Sequence, residues 1–257
     1  MTETAQTSKI ALMTGGSRGL GKSGALHLAA QGVGVVITYR SSADEAEAIV
    51  EQIRTEGGRA VALSLDVAEL EQFDGFIARF QQVLQDQFQR DTFDFLVNNA
   101  GVGIYGPLAE LDEEKFDALM HIHFKGPFFL TQRLLPLIAD GGRILNISTG
   151  LTRFSFPGYG TYASMKGAVE VWTRYLAKEL GPRGIAANVL APGAIATDFG
   201  GGAVRDTPEL QQQLAAHTAL GRVGEADDIG AMMASLLHPN SYWVNGQRIE
   251  ASGGMQL

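Results

Sequence analysis

Apolar residues recur along this chain with two different periods, and the two periods alternate. Short runs of consecutive apolar residues, such as "VGVVITY", separate longer stretches in which apolar residues recur every three to four positions. The short runs are typical of strands buried on both faces, and the longer period is typical of amphipathic helices. The pattern predicts strands at 9–14, 33–39, 59–65, 93–98, 142–148, 185–191 and 246–251.

The segments between these strands predict helices that return the chain to the start of the next strand. We expect helices near 19–31, 43–56, 69–90, 112–138, 159–180 and 225–237. Regular alternation of strand and helix predicts an α/β fold, a doubly wound parallel sheet with helices on both faces. Ligands of such sheets bind at the carboxyl ends of the strands, so we expect the functional site there.

No linker, repeat or low-complexity segment interrupts the alternation, so we expect residues 1–257 to form a single domain. The Gly-rich segment 192–208, "PGAIATDFGGGAVRDTP", follows the sixth predicted strand and predicts a long loop. Long irregular segments in compact domains are often functional lids. We therefore expect a substrate lid around 194–220.

Composition excludes several classes of function. The net charge of −8 and the lack of a Lys/Arg cluster argue against a nucleic-acid partner, because phosphate binding needs clustered cations. The absence of Cys excludes disulfides and thiol chemistry; we expect no metal and a cytoplasmic enzyme. Residues 1–9 contain no apolar signal core, and no run reaches the ~18 apolar residues of a membrane span.

The turn after the first strand, "TGGSRGLGKS", predicts a nucleotide-binding site but fits more than one motif. Gly15, Gly19 and Gly21 fit a dinucleotide-binding turn, in which glycine lets the backbone approach a phosphate at a helix N-terminus. Residues 16–23 also fit the P-loop pattern, with Asp66 after the third strand as a candidate magnesium-binding acid. A P-loop nucleoside triphosphatase therefore stays open.

Tyr162 and Lys166 lie four residues apart in the predicted helix 159–180 and so share one helix face. An ammonium about 4 Å from a phenol, at an effective dielectric near 20, would favour phenolate by about 4 kcal/mol, roughly three units below the ordinary pKa of about 10. A phenol tuned in this way can donate a proton to a carbonyl oxygen that becomes an alkoxide. We predict that Tyr162 is an acid/base and Lys166 its tuning cation.

Four motifs occur in the order 14–21 "TGGSRGLG", 98–101 "NNAG", 162–166 "YASMK" and 192–193 "PG", spanning essentially the whole chain. In these motifs the sequence resembles the short-chain dehydrogenase/reductase family. The resemblance implies a Rossmann-type sheet, a nicotinamide cofactor and a homotetramer, or else a homodimer. The cofactor positions that it implies are Gly15, Ser17, Arg18, Gly19, Leu20, Gly21, Tyr39, Arg40, Ser41, Asp66, Val67, Asn99, Ala100, Gly101, Tyr162, Lys166, Pro192, Gly193, Ile195 and Thr197.

The end of the second predicted strand indicates which nicotinamide cofactor is used. Enzymes that prefer NAD usually carry an acid there, which accepts hydrogen bonds from the ribose 2′-hydroxyl. This chain has Tyr39 and Arg40 instead. Arg40, with Arg18 of the Gly-rich turn, can bind a 2′-phosphate through charge-assisted hydrogen bonds, so we predict NADP(H).

Two positions depart from the family. Thr149 stands 13 residues before Tyr162, where the family carries Ser; it keeps a hydroxyl that can hydrogen-bond the substrate oxygen. Ser148 is no substitute, because adjacent residues at a strand end point to opposite sides. His123 stands where the family commonly carries an Asn that holds a water linking the Lys to solvent. His123 is either a proton relay that titrates near its ordinary pKa of about 6.5 or a packing residue.

Tyr105, Phe154, Phe156 and Phe199 predict an apolar pocket for bulky ketones or aldehydes. The sequence thus predicts an NADP(H)-dependent oxidoreductase that interconverts a small-molecule carbonyl and its alcohol, without a nucleic-acid or membrane partner. The catalytic residues are predicted to be Tyr162, Lys166, Thr149 and His123. A dinucleotide-binding protein with impaired catalysis is an alternative, as is the P-loop nucleoside triphosphatase.

Overall fold

The structure, a computed structural model, describes residues 9–257. The prediction that residues 1–9 contain no signal core falls almost entirely on residues 1–8, which lie outside this range. Within it, parallel strands form one sheet in the order β3-β2-β1-β4-β5-β6-β7. The strands are β1 (Ile10–Met13), β2 (Gly34–Tyr39), β3 (Ala60–Ser64), β4 (Phe93–Asn98), β5 (Ile138–Ile147), β6 (Ala186–Pro192) and β7 (Arg248–Ala251). The predicted doubly wound parallel sheet is confirmed.

Helices cover both faces of the sheet. Successive strand residues point to opposite faces, so each strand packs against helices on both sides. The helices are α1 (Gly19–Ala30), α2 (Ala43–Thr55), α3 (Phe73–Phe88), α4 (Glu113–Met120), α5 (Gly126–Leu134), α6 (Gly160–Leu180), α7 (Ala203–Asp206), α8 (Pro208–Ala216) and α9 (Ala226–Leu237). Ile10 and Leu12 of β1 pack with α3, α5 and α6, whereas Ala11 and Met13 pack with α1, α2 and α9. In the described range no helix has the length and apolar character needed to cross a bilayer.

The single helix predicted at 112–138 is wrong. It is divided into α4, a π-helical turn at His121–Lys125, α5 and a 3₁₀ turn at Leu135–Leu137, and β5 already begins at Ile138. Pro127 has no N–H, so the carbonyl four residues earlier, that of His123, loses its α-helical donor. Gly126 leaves room for the chain after β3, since a Cβ there would lie 1.9 Å from the Val67 carbonyl oxygen.

The segment 192–208 is not one long irregular loop. Phe199–Gly202 forms a 3₁₀ turn, α7 follows it, and α8, which the apolar pattern missed, begins at Pro208. Proline is compatible with the first position of a helix, because that N–H needs no partner there. The loops after β1, β4, β5 and β6 meet at the carboxyl edge of the sheet, where the predicted site residues lie.

Candidate active site

The Gly-rich turn after β1 packs tightly against the end of β4. Gly15 has a φ of +65°, and a Cβ there would lie 2.8 Å from the Cα of Ala100. A Cβ on Gly21 would lie 2.2 Å from the Gly15 carbonyl oxygen. The Asn99 amide donates to the carbonyls of Thr14 and Gly15, both at 2.9 Å. Only glycine fits these positions, and Asn99 holds the turn onto the sheet.

The start of α1 suits an anionic group. Arg18 occupies the position before the first helical residue, and no side chain in the described range caps this end or places an acid in its first turn. The backbone N–H groups of a first helical turn carry partial positive charge and bind phosphates when left without internal partners. Together with the close-packed glycines, this end of α1 fits the pyrophosphate of a dinucleotide.

The region predicted for the 2′-phosphate is made of exposed cations. Arg40 and Ser41 are exposed directly after β2, beside the half-buried Tyr39. Arg18 Nε lies 3.3 Å from Asp198 Oδ2, and the other oxygen of that carboxylate lies 3.3 Å from Arg205 Nη1. Arg18 therefore connects the Gly-rich turn to the segment after β6.

The adenine side of the predicted site lies after β3. Asp66 accepts a hydrogen bond from the backbone N–H of Ala68 at 2.9 Å, and Val67 is buried against Gly126. After β6, the buried Thr197 accepts a hydrogen bond from the Phe199 N–H at 3.3 Å.

A buried ladder of amides and hydroxyls, missed by sequence reasoning, links the two central strands to the helices behind them. Asn98 donates to Thr131 at 3.0 Å and to Asn146 at 2.8 Å, and Asn146 donates to Thr173 at 2.8 Å. Its one sequence signal is a polar Asn inside the apolar run "RILNIS". Because buried amides need partners, the ladder sets the positions of β4, β5 and α6 relative to one another.

Tyr162 lies in the first turn of α6 and is buried, with 6% of its surface exposed. Its ring stands edge-on to His123, with centroids 5.0 Å apart, and tilts against Phe199 at 5.8 Å. Burial raises the pKa of Tyr162 above its ordinary value, and the neighbouring Thr149 hydroxyl only partly offsets this. The predicted near-neutral phenol is therefore wrong: the phenol holds its proton at neutral pH.

Lys166 is also buried and is hydrogen-bonded to the end of β5. Its Nζ donates to the Ile147 carbonyl at 2.7 Å and lies 5.9 Å from the centroid of the Tyr162 ring, and burial rather than this cation sets the direction of the Tyr162 pKa shift. Burial lowers the pKa of Lys166 to about 8. The amine is thus charged at neutral pH and loses its charge as the pH rises through about 8.

The two residues at the end of β5 face different partners. The Thr149 hydroxyl lies beside the Tyr162 phenol and accepts a hydrogen bond from the Leu151 N–H at 3.3 Å, whereas the Ser148 hydroxyl donates to Glu170 at 2.7 Å. Adjacent side chains on extended backbone point apart, which accounts for this separation. Of the two hydroxyls, only that of Thr149 lies beside the phenol.

His123 is almost fully buried, with 1% of its surface exposed. Its Nε2 lies 2.8 Å from the Val102 carbonyl oxygen, and Nδ1 has no hydrogen-bond partner among residues 9–257. Burial first, and then the charge of Lys166, lower the pKa of His123 to about 3. The titration expected near 6.5 is therefore wrong, and the ring is neutral. The Val102 nitrogen also lies 3.3 Å from Nε2, but the shorter contact is to the carbonyl oxygen; a proton on Nε2 satisfies it and leaves Nδ1 as an acceptor.

Aromatic rings lie on the loops after β4, β5 and β6, and one of them, Phe199, contacts Tyr162. Tyr105 is 62% exposed and stands edge-on to Tyr159, with centroids 5.7 Å apart. Phe199 is 44% exposed above the catalytic candidate. Phe154 and Phe156 contact each other at 5.6 Å in the loop after β5. The mouth of the site can therefore stack flat apolar groups.

Known proteins resemble the chain over nearly its whole length. Residues 15–256 match the family model described as Enoyl-(Acyl carrier protein) reductase. Hydroxynaphthalene reductase-like protein Arp2 of Metarhizium brunneum is 36% identical, over 96% of this chain and 94% of that protein. A solved short-chain dehydrogenase/reductase from Serratia marcescens superposes with a TM-score of 0.88 at 32% identity, covering 97% of this chain and 98% of that one. The chain belongs to the short-chain dehydrogenase/reductase family.

Another solved structure is that of the angucycline C-6 ketoreductase LanV with bound NADP. It is 36% identical, with a TM-score of 0.92, and the match covers 97% of this chain and 96% of LanV. The short-chain dehydrogenase/reductase family predicted from the four motifs is confirmed, and with it the oxidoreductase class.

The P-loop alternative is not favoured for this short-chain dehydrogenase/reductase. The Ser23 hydroxyl is buried and lies 3.4 Å from the Asp227 carboxylate of α9. It therefore faces α9 and not the Gly-rich turn, where a P-loop Ser would meet the magnesium of a triphosphate.

Proposed function

We propose that this protein is an NADP(H)-dependent ketoreductase that interconverts a bulky ketone or aldehyde and its alcohol. The observation that carries the proposal is the buried Tyr162, which holds its proton beside the Thr149 hydroxyl at the carboxyl edge of the sheet. The uncapped start of α1 and the close-packed glycines suit the cofactor, and the NADP-bound LanV structure supports the choice of NADP(H). NADPH, when bound, supplies the hydride.

The protein's own groups handle the proton. Tyr162 donates the proton of its hydroxyl to the substrate oxygen: the phenol O–H bond breaks as the alcohol O–H bond forms. Thr149 hydrogen-bonds the same oxygen and holds it in place. The Lys166 ammonium stabilises the phenolate that remains, and it does so only below the pH at which it loses its charge.

His123 and its turn supply a route for the next proton. The carbonyl of His123 lacks its α-helical donor because of Pro127, and the neutral ring presents Nδ1 as an acceptor. Either atom can hold a water that reaches Lys166. The relay works without protonation of the imidazole, since the pKa of His123 is about 3.

We expect His123→Asn to stay within about tenfold of wild type and His123→Leu to fall further, because Leu offers no polar side chain to a water. His121→Leu, two residues earlier and not buried, is the matched control and should match wild type. Steady-state rates against pH should show no inflection near 6.5 in any of these proteins. An inflection there that His123→Asn removes would contradict the neutral ring.

Cofactor binding is proposed for the positions that the family resemblance implied. Gly15, Gly19 and Gly21 face the pyrophosphate, and Asp66 and Val67 meet the adenine. Arg18, Arg40 and Ser41 hold the 2′-phosphate. The remaining contacts are proposed for Ser17, Leu20, Tyr39, Asn99, Ala100, Gly101, Tyr162, Lys166, Pro192, Gly193, Ile195 and Thr197.

We expect the double variant Tyr39→Asp, Arg40→Ser to shift preference from NADP toward NAD by about tenfold or more, since it removes a charge-assisted pair and adds repulsion. The measurement is the ratio of kcat/KM values with the two cofactors. Arg174→Ser, an exposed Arg on α6, is the control for general loss of positive charge. An unchanged ratio would place the 2′-phosphate elsewhere.

The aromatic mouth favours fused-ring ketones as the substrate class. Exposed rings at Tyr105 and Phe199 can stack on a flat apolar ligand whose carbonyl reaches Tyr162. Two relatives are consistent with this substrate class: LanV has been solved with NADP and rabelomycin, and Arp2 is described as hydroxynaphthalene reductase-like. We therefore propose polycyclic aromatic ketones, with 194–220 as the lid over them.

Three further properties belong to this proposal. Residues 1–257 act as one domain, the enzyme is cytoplasmic, and it assembles as a homotetramer or homodimer. Apolar side chains exposed on α4 and α6, namely Phe116, Val171 and Tyr175, support an interface between copies. Sedimentation equilibrium of the purified chain measures the assembly.

One experiment separates the proposed enzyme from the alternatives. Purified protein is mixed with NADPH or with MgATP, cofactor fluorescence is followed, and tetralones and aromatic aldehydes are then added. The ketoreductase binds NADPH and consumes it. A dinucleotide-binding protein with impaired catalysis would bind NADPH without turnover, and a nucleoside triphosphatase would respond to MgATP alone.

A further inference from the structure

A cluster of charged side chains joins the loop after β5 to α6 and β7. It consists of Glu170, Arg248, Glu250 and Arg153, which we call the Glu170 cluster. The side chains of the first three are 14%, 24% and 18% exposed, so the cluster is mostly shielded from solvent. None of these residues carries a role in the proposed reaction.

The carboxylate of Glu170 holds the residues on either side of Thr149. Glu170 Oε1 accepts hydrogen bonds from the hydroxyls of Ser148 and Thr152, both at 2.7 Å, and from Arg248 Nε at 2.9 Å. Bonds to an ionised acceptor are about twice as strong as neutral ones. One helix side chain therefore fixes the loop both before and after Thr149.

Arg248 reaches the backbone of Thr149 itself. Its Nη2 donates to the Thr149 carbonyl at 3.1 Å and to the Thr152 hydroxyl at 3.2 Å, while Nη1 donates to Glu250 at 2.9 Å. The planar guanidinium makes these three bonds and the bond to Glu170 at the same time. A Lys ammonium has three donors on a single nitrogen and cannot reach all four partners.

The outer half of the cluster extends this hold to the end of the chain. Arg153 donates to both carboxylate oxygens of Glu250, at 2.6 and 2.9 Å, and to the carbonyls of Met255 and Gln256. The loop that carries Thr149 is thereby tied to β7 and to the segment that follows it.

The spacing along α6 connects the cluster to the proton donor. Tyr162, Lys166 and Glu170 follow one another at intervals of four residues and so lie along one face of the helix. The helix that carries the phenol therefore also carries the anchor of the loop that brings Thr149 to it. Any shift of this loop relative to α6 changes the position of the Thr149 hydroxyl against the phenol.

We propose that Glu170 and Arg248 are positioning residues, which hold the Thr149 hydroxyl against Tyr162 in the geometry that receives the substrate oxygen. The proposal rests on the proposed roles of Thr149 and Tyr162. It differs from a purely structural role, in which the cluster only stabilises the folded chain.

Arg248→Met tests the proposal, because it keeps the side-chain length and removes the fork. We expect kcat for ketone reduction to fall by about tenfold, since small displacements of a positioned group have large effects on rate. The KM for NADPH should stay within about twofold of wild type, because the substitution leaves the binding of the cofactor in the ground state unchanged. If Arg248→Met does not fold, Glu170→Gln provides the same test with little change of shape.

Arg183→Met is the matched control. Arg183 also bridges an acid and backbone carbonyls, donating to Asp140 at 2.8 Å, to the Leu135 carbonyl at 2.8 Å and to the Ile138 carbonyl. It does so at the opposite end of β5. We expect the two Met variants to lower Tm to a comparable extent, and Arg183→Met to keep its kcat. An equal loss of kcat in both variants would overturn the proposal.

A double-mutant cycle shows whether the effect passes through Thr149. In a Thr149→Ala background, Arg248→Met should change kcat by less than about twofold, because the group that it positions is gone. Full additivity would overturn the proposal. A crystal structure of Arg248→Met adds a readout that needs no activity: we expect the Thr149 hydroxyl to move by more than ~0.5 Å, and an unmoved hydroxyl would contradict us. Wild-type protein that reduces no ketone would instead refute the proposed function.

Discussion

Tyr162→Phe is expected to lower kcat for ketone reduction by about 10²- to 10⁴-fold, or roughly 3 to 5 kcal/mol, the range for loss of a general acid. The substitution removes one hydroxyl from a buried ring that also contacts His123 and Phe199, so the packing is kept. Binding of NADPH, followed by fluorescence, should be nearly unchanged. The measurement is single-turnover reduction with saturating NADPH.

Tyr175→Phe is the control for the Tyr162 variant. It makes the same change on the same helix, at an exposed ring. We expect wild-type activity from this variant. Residual activity of Tyr162→Phe above a tenth of wild type would show that the proton comes from another group.

Lys166→Met is expected to lower kcat by about 10²-fold. With Nζ 5.9 Å from the centroid of the Tyr162 ring, an effective dielectric near 20 gives an attraction of ~3 kcal/mol between the ammonium and the phenolate. That attraction is present only while the amine is charged. Lys178→Met, an exposed Lys at the end of the same helix, is the control and should keep full activity.

The pH profile sharpens the Lys166 prediction. Burial lowers the pKa of Lys166 from 10.5 to about 8, so wild-type reduction should slow as the pH rises through about 8. Lys166→Met should lack this inflection. Between these two pKa values the unfolded chain binds more protons than the folded one, so the Lys166 contribution makes stability rise with pH there. A wild-type profile without an inflection near 8 would contradict the assignment.

The sheet was predictable from the sequence because its signal is local. A strand buried on both faces is a short apolar run whatever its neighbours are. The strands from Ile10–Met13 to Arg248–Ala251 all fall within one of these runs, apart from the early start of β5 and the last residue of β6. The division of the helix at 112–138 depends on a backbone detail, the missing N–H of Pro127, within an otherwise helical pattern.

Side-chain direction accounts for what was not predictable in the site. The spacing predicted that Tyr162 and Lys166 share one helix face. It could not predict that the Lys166 amine donates to the Ile147 carbonyl, because that contact depends on β5 lying behind the helix. The direction of the Tyr162 pKa shift followed from burial. The pKa of His123 likewise depends on burial that a single position in the sequence does not show.

The Glu170 cluster could not be predicted from the sequence, because tertiary contacts bring its members together. Glu170 and Arg248 are far apart along the chain and meet only because β7 and the loop after β5 lie beside the same helix. A charged residue on a helix is ordinarily an exposed one, so the sequence position of Glu170 does not indicate this contact.

Deuterium transfer tests the central claim most directly. Purified wild-type protein is incubated with NADPH carrying deuterium at the transferable position of the nicotinamide and with α-tetralone or β-tetralone, and the product is analysed by mass spectrometry and NMR. The ketoreductase account predicts one deuterium on the carbinol carbon of a single alcohol enantiomer, formed by wild type and nearly absent with Tyr162→Phe. An alcohol without deuterium, or equal labelling with Tyr162→Phe, would contradict it.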